Sequence, residues 1–163
     1  MIIRDAAQDD LPAILDIHND AILNSLSIWQ YQAAPLSNRE AWLADRRAAG
    51  FPVLVAQIDG ALAGYASYGP FRHGAGYDLT VENSVYVRKD LRGRGLARPL
   101  MEALIGHARA NGRNVMVAAV GLPNEASLAL HRKLGFDDVG TLRGIGWKND
   151  MRLDLALLQK TLR

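Results

Sequence analysis

The sequence predicts one α/β (α+β) domain, residues 1–163, built on a mixed sheet, and three observations carry that prediction. Short β-branched or alternating runs trade places with amphipathic helical runs along the whole chain. No repeat, low-complexity tract or linker separates them. One junction has the form of a strand, a glycine turn and a helix: Ser84–Val87, then Gly93 and Gly95, then the helical run from Leu96.

In order, Met1–Arg4 reads as a strand. A helix follows with Asp9 or Asp10 as cap, Pro12 in its first turn, and Leu11, Ile14, Leu15, His18 and Ile22 on one face. His18 there is a packed or site-wall histidine. In the loop Asn24–Pro35, Trp29 either anchors the loop or lines a small-molecule pocket. Ser37-Asn-Arg-Glu40 has capping-box spacing and predicts a second helix ending at Gly50. Phe51–Gln57 and Ala61–Tyr68 predict a hairpin around Asp59-Gly60. Phe71–Tyr77 is a glycine-rich polar loop, the kind of segment that carries substrate contacts on a rigid sheet. Thr80–Val87 is the strand feeding the glycine turn. After the long helix come a strand at Asn114–Val120, a helix capped by Asn124 and closed by Gly135, a strand at Asp137–Leu142, a loop at Gly144–Asp150 and a last strand at Met151–Leu158.

The helix after the glycines shows in Leu96, Leu100, Leu104 and Ala108, with Ala97, Met101 and Ile105 beside them, the spacing of one apolar face. Its first turn carries unpaired N–H groups and partial positive charge, which suits a phosphate. Arg88, Lys89, Arg92, Arg94 and Arg98 add fixed charge, and a pyrophosphate is the expected ligand. The alternative is a plain strand-to-helix turn with solvated arginines. A Walker loop is absent, and a dinucleotide fingerprint would need glycine at Arg98 and an acid near Arg113.

Composition narrows the classes. The net charge of only +2, its excess focused on one loop, favours a small phosphorylated ligand over a nucleic-acid surface. With no cysteine there is no disulfide, thiol nucleophile or thiolate metal site, which fits the cytoplasm. No apolar run reaches membrane-span length, and no signal peptide precedes the first strand. His18, His73, His107 and His131 show no ligand spacing, so no metal is expected, and there is no Gly-x-Ser-x-Gly elbow.

The run Arg92-x-x-Gly95-x-Ala97 resembles the acetyl-CoA loop of the GNAT N-acetyltransferases. Asn124-Glu-Ala-Ser127-Leu-Ala-Leu-His131-Arg-Lys133-Leu-Gly135-Phe136 resembles that family's second signature, and the likeness covers essentially the whole chain. It implies a mostly antiparallel mixed sheet flanked by helices, with a splayed strand pair that holds acetyl-CoA. It places Val85, Tyr86 and Val87 on the pantetheine arm and Arg92, Gly93, Arg94, Gly95, Leu96, Ala97 and Arg98 on the pyrophosphate. Asn124, Ser127 and Lys133 are further cofactor positions, Lys133 being otherwise a solvated helix lysine.

Glu82 shares a strand face with Ser84 and could take a proton from an amine through water, or it is a salt-bridged strand glutamate. An ordinary glutamate pKa near 4.3 is low for that task, so burial would have to raise it. His131 stands where many family members carry a tyrosine that protonates the departing thiolate; it acts as that acid or only packs there.

Within the family the chain is similar to the phosphinothricin and methionine sulfoximine/sulfone acetyltransferases. Thr80–Val87, Gly146-Trp147-Lys148 and the strand ending at Asp154 carry the likeness, with Asn83 where relatives often have histidine. The resemblance implies a homodimer and a zwitterionic amino acid acceptor, with no nucleic-acid or membrane partner. Arg72, His73, Gly74, Glu82, Asn83, Ser84, Trp29 and Lys148 are the expected acceptor contacts, Arg72 being otherwise a surface cation. Rival readings are acetylation of a peptide amino terminus, polyamine or aminoglycoside, or a non-catalytic acyl-CoA-binding module.

Overall fold

The computed structural model describes residues 1–163. In chain order the elements are β1 (Ile2–Asp5), α1 (Leu11–Asn24), α2 (Leu36–Ala48), β2 (Val53–Ile58), β3 (Ala61–Pro70), β4 (Thr80–Val87), α3 (Ala97–Ala110), β5 (Val115–Gly121), α4 (Glu125–Lys133), β6 (Asp137–Lys148) and β7 (Met151–Thr161). The seven strands form one sheet in the order β1-β2-β3-β4-β5-β7-β6. Only β4 and β5 run parallel.

Each sheet face has its own core. Leu11, Ile14 and Ile17 of α1 and Leu43 of α2 pack on Val53, Val55 and Tyr65. On the other face Leu100, Met101, Leu104 and Ile105 of α3 and Leu128 of α4 pack on Ala66, Val81, Met116 and Ala118. The 3.6-residue spacing seen in the sequence is therefore the buried stripe of α3. Leu104→Ala there would cost about 2–5 kcal/mol, the usual range for truncating a packed leucine.

Strand alternation then assigns β4. Glu82, Ser84 and Tyr86 face α1 and α2, while Val81, Asn83, Val85 and Val87 face α3 and α4. Along β3 the ladder is continuous from Gly64–Val87 to Pro70–Val81. Along β5 it holds only at Thr80–Val115, Val81–Met116 and Glu82–Val117, after which the two strands part. The expected splayed pair is present, and its fork lies at Glu82–Asn83.

Several local expectations are corrected. Asp10 precedes α1 but bonds no N–H within it; its carboxylate takes Ala7 N–H at 2.7 Å and the Arg4 guanidinium at 2.7 and 2.9 Å. The capping box at Ser37 does not form. Pro35, at φ −76° and ψ 162°, is the N-cap of α2, two residues before Ser37, and Asn38 N–H bonds Pro35 O at 3.0 Å. The loop expected at Gly144–Asp150 is mostly strand. β6 absorbs the glycines as irregularities between Leu142 and Gly146 and turns only at Asn149-Asp150, both at positive φ. No helix is long and apolar enough to cross a membrane.

Candidate active site

The parted strands enclose a narrow opening of about 90 Å³ lined by Asn83, Ser84, Val85, Tyr86, Ser127 and His131, among others. It joins a larger cleft of about 500 Å³ between β4, the glycine turn and α4. Val85, Val87, Arg92, Gly93, Gly95, Leu96, Ala97, Arg98, Ser127 and Lys133 line that cleft. Of the residues expected at the cofactor, these ten are brought together.

The glycine turn is built as a cradle. Gly93 and Gly95 have φ 76° and 77°, where a side chain is strained, and open space lies where each Cβ would be. No side chain caps α3; Pro99 carries no N–H and Arg98 N–H bonds Gly95 O at 3.4 Å, which leaves the N–H groups of Leu96 and Ala97 at the helix start without a partner in the chain. The edge of β4 beyond the fork is likewise unpaired on its β5 side. Such an edge and a bare helix start suit an amide-bearing arm ending in a pyrophosphate, so the cradle fits acetyl-CoA.

Three of the expected cations are engaged within the chain. Arg92 donates to Asp20 at 2.7 Å and to Val87 O at 3.1 Å, Arg88 pairs with Asp90, and Arg98 pairs with Glu102. Arg94 and Lys133 are exposed and form no ion pair. Asn124 spends its side-chain oxygen on Ser127 N–H at 3.1 Å, capping α4.

On the opposite sheet face stands Glu82. Burial raises its pKa and the Arg72 guanidinium holds it down in part. Tyr86, two residues on, is pushed up to about 12 by burial, and Arg39 and Glu82 both act on it. Arg72, His73 and Gly74 are exposed on the loop before β4.

Asn83 is corrected. It belongs to the α3–α4 face, where Nδ2 donates to Val117 O at 3.0 Å and Oδ1 lies 3.1 Å from His131 Nε2. Strand alternation points it away from the acceptor face. Lys148 is also corrected. It is 2% exposed, and Nζ donates to the carbonyls of Ile22 (2.5 Å), Ser25 (2.8 Å) and Ile28 (2.6 Å). All three ammonium hydrogens close the carbonyls around the end of α1, leaving none for a substrate carboxylate. Trp29 resolves to an anchor: its indole N–H bonds Leu26 O at 2.9 Å, and its ring rests where Gly121 and Gly146 have no Cβ.

The sequence did not single out Arg39 and Tyr65. Arg39 lies over the Trp42 ring at 4.5 Å from its centroid, on the face shared by Tyr65 and Tyr86, whose rings are 5.4 Å apart. Beside them His18 is held near pKa 4 by burial and by Arg39. In sequence Arg39 is one of several cations on a polar helix. Only the β3–β4 register, Tyr65 opposite Tyr86, supplies the signal.

The acetyltransferase (GNAT) family model matches residues 11–136. The chain belongs to the GNAT acetyltransferase family. A GNAT relative in Pseudomonas aeruginosa, an L-methionine sulfoximine/L-methionine sulfone acetyltransferase, is 49% identical over 98% of this chain and 94% of its own. The phosphinothricin N-acetyltransferase of Streptomyces viridochromogenes is 36% identical over 97% of this chain and 86% of its own. Among solved GNAT structures, a putative acetyltransferase from Salmonella typhimurium with its cofactor acetyl-CoA superposes with TM-score 0.98 at 41% identity, covering 100% of this chain and 94% of that one. A ribosomal-protein-alanine N-acetyltransferase from Brucella melitensis gives TM-score 0.97 at 46% identity, with 99% of both chains covered.

Proposed function

We propose that this protein transfers the acetyl group of acetyl-CoA to the α-amine of a small amino acid analogue, by direct attack in a ternary complex. Methionine sulfoximine and methionine sulfone are the favoured acceptors and phosphinothricin a weaker one, a detoxification-type activity. The observation that carries the proposal is the fork at Glu82–Asn83. It opens the sheet between a cradle suited to acetyl-CoA on the α3–α4 side and a half-buried carboxylate on the α1–α2 side.

The residues then divide the work. Gly93, Gly95 and the first turn of α3 hold the pyrophosphate, with Arg94 and Lys133 adding charge. Val85, Tyr86 and Val87 offer backbone groups to the pantetheine arm and to the thioester carbonyl, whose polarisation lowers the barrier to attack. Glu82, raised by burial, receives the amine proton through water. Arg72, with His73 and Gly74 beside it, meets the acceptor carboxylate or its polar tail. His131 faces the opening from the cofactor side and supplies a proton to the thiolate.

We place the enzyme in the cytoplasm and as a homodimer. The exposed apolar side chains Val139, Leu142, Ile145 and Trp147 on the edge strand β6 support the dimer, since an uncovered edge of this kind invites pairing.

The test is thiol release from acetyl-CoA across a panel of amines: methionine sulfone, methionine sulfoximine, phosphinothricin, ordinary amino acids, spermidine, an aminoglycoside and an alanine-terminated peptide. Turnover concentrated in the first three supports the proposal. Turnover of the peptide alone moves the acceptor to the class named for the Brucella structure. Binding of acetyl-CoA with no turnover of any amine leaves a binding module.

A further inference from the structure

The pairing of Asn83 with His131 decides which hydrogens the histidine carries. Nδ2 of Asn83 donates to Val117 O at 3.0 Å, and Val117 is the last β5 residue in register with β4. That bond fixes the amide so that its oxygen faces His131 Nε2, at 3.1 Å. Across the ring, Nδ1 lies 2.8 Å from the Ser127 carbonyl. Asn83 Oδ1 has no hydrogen to give, so Nε2 can bond it only as a donor. Nδ1 can donate to the Ser127 carbonyl or accept from the Ser127 hydroxyl, 3.4 Å away. The Nε2–H tautomer and the imidazolium both keep the Asn83 bond, whereas the Nδ1–H tautomer turns the Nε2 lone pair toward Oδ1.

The polar groups around the ring are Asn83 Oδ1 and the carbonyl and hydroxyl of Ser127. His131 is 3% exposed. Asn83 faces it from β4, Ser127 from α4, and the Phe136 ring meets it edge-on at 5.0 Å. No charged side chain acts on it; burial favours the neutral ring and outweighs the Ser127 carbonyl, which favours the charged one, so the ring sits below the ordinary histidine pKa.

We propose that Asn83 is a positioning residue for the acid step: its Oδ1 holds a hydrogen on Nε2 of His131, and His131 delivers that hydrogen to the leaving sulfur. The second half rests on the acetyl transfer proposed above. As the amine nitrogen bonds the acetyl carbon, the C–S bond breaks with its electron pair on sulfur. The Nε2 proton moves to that sulfur, and the ring is left neutral with its remaining hydrogen on Nδ1, held by Ser127. The substrate ammonium gives up two protons over the cycle; one restores the imidazolium and the other reaches solvent.

The experiment is a ¹⁵N-histidine NMR titration of the substrate-free protein, with the His131 signal assigned by its loss in His131→Gln. Removing the acceptor in Asn83→Leu lowers the His131 midpoint by about one to two pH units, the effect of one hydrogen bond to a charged group. Asn83→Asp, which places a carboxylate there, raises it above wild type. Loosening of the fold would also raise the midpoint, but no further than that of a solvated imidazole, so the rise is read in Asn83→Asp whose amide spectrum is that of the folded protein, and it decides alone if Asn83→Leu does not fold. An unmoved midpoint in folded Asn83→Leu, or an unmoved or lowered one in Asn83→Asp, overturns the proposal. The alkaline limb of kcat moves with the midpoint, because an acid is lost as pH rises through its pKa. The titration needs no substrate, so an inactive amine panel leaves it standing, and an active enzyme with unmoved midpoints overturns only the role of Asn83.

Discussion

Arg92 Nη2 lies 2.7 Å from Asp20 Oδ2, so the first arginine of the glycine turn is tied to α1 rather than aimed at a ligand. Both side chains are partly exposed, and Arg92→Ala lowers stability by no more than about 1 kcal/mol. Arg94→Ala and Lys133→Ala instead raise the KM for acetyl-CoA by roughly two- to fivefold, the worth of an exposed charge contact. That rise shrinks at high salt, where exposed charges are screened. Thermal melts and KM at two ionic strengths separate the two effects.

Lys148→Met strips the donor from three backbone carbonyls at the end of α1. Buried acceptors left without partners cost about 1–3 kcal/mol each, and water reaches some of them, so a total loss of about 3 kcal/mol is expected. For a chain of this size that lowers Tm by roughly 6–12 °C. The KM for acetyl-CoA stays within about twofold of wild type, because Lys148 lies outside its cleft.

A Cβ at Gly146 would overlap the Trp29 ring. Gly146→Ala therefore displaces the indole and the loop it anchors, at a cost of about 1–3 kcal/mol, the usual range for overpacking. Gly121→Ala acts on the same ring, meeting Nε1 at 2.9 Å. Both variants shift Trp29 fluorescence toward that of a solvated indole, read in a protein with Trp42 and Trp147 replaced by phenylalanine.

The pH profile follows from Glu82. Burial raises its pKa, and a base works only when ionised, so kcat/KM falls as pH drops through a value above the ordinary glutamate one. Arg72 opposes that rise, so Arg72→Ala moves the acidic limb further up and raises the KM for the amino acid. The linked stability has the opposite sign: the fold favours the protonated carboxyl, so this group's contribution declines as pH rises from the unfolded toward the folded pKa.

The fold was legible because its signals are local. Asp59-Gly60 sits at φ 50° and 80° as the hairpin requires, and β4 begins and ends at the expected Thr80 and Val87. The glycine cradle was legible for the same reason. What escaped was set by tertiary partners. Lys148 looks like a free cation until the end of α1 and the loop after it supply three carbonyls, and Asn83 reads as an acceptor contact although alternation after Glu82 puts it on the other face. Arg39 gains meaning only when α2 lays it against Tyr65 and Tyr86. The start of α2 went to Pro35 over a well-spaced Ser37 and Glu40, because an extended proline sets the entry angle before a side chain can cap.

The central claim, a base on one side of a forked strand serving a thioester held on the other, is tested most directly by Glu82→Gln. Thiol release with methionine sulfone is followed alongside acetyl-CoA binding by calorimetry. The expected result is a fall in kcat of at least about 10²-fold with an unchanged Kd for acetyl-CoA, the range for loss of a general base. Full turnover by Glu82→Gln would contradict the account, as would a fall in activity explained entirely by weaker acetyl-CoA binding.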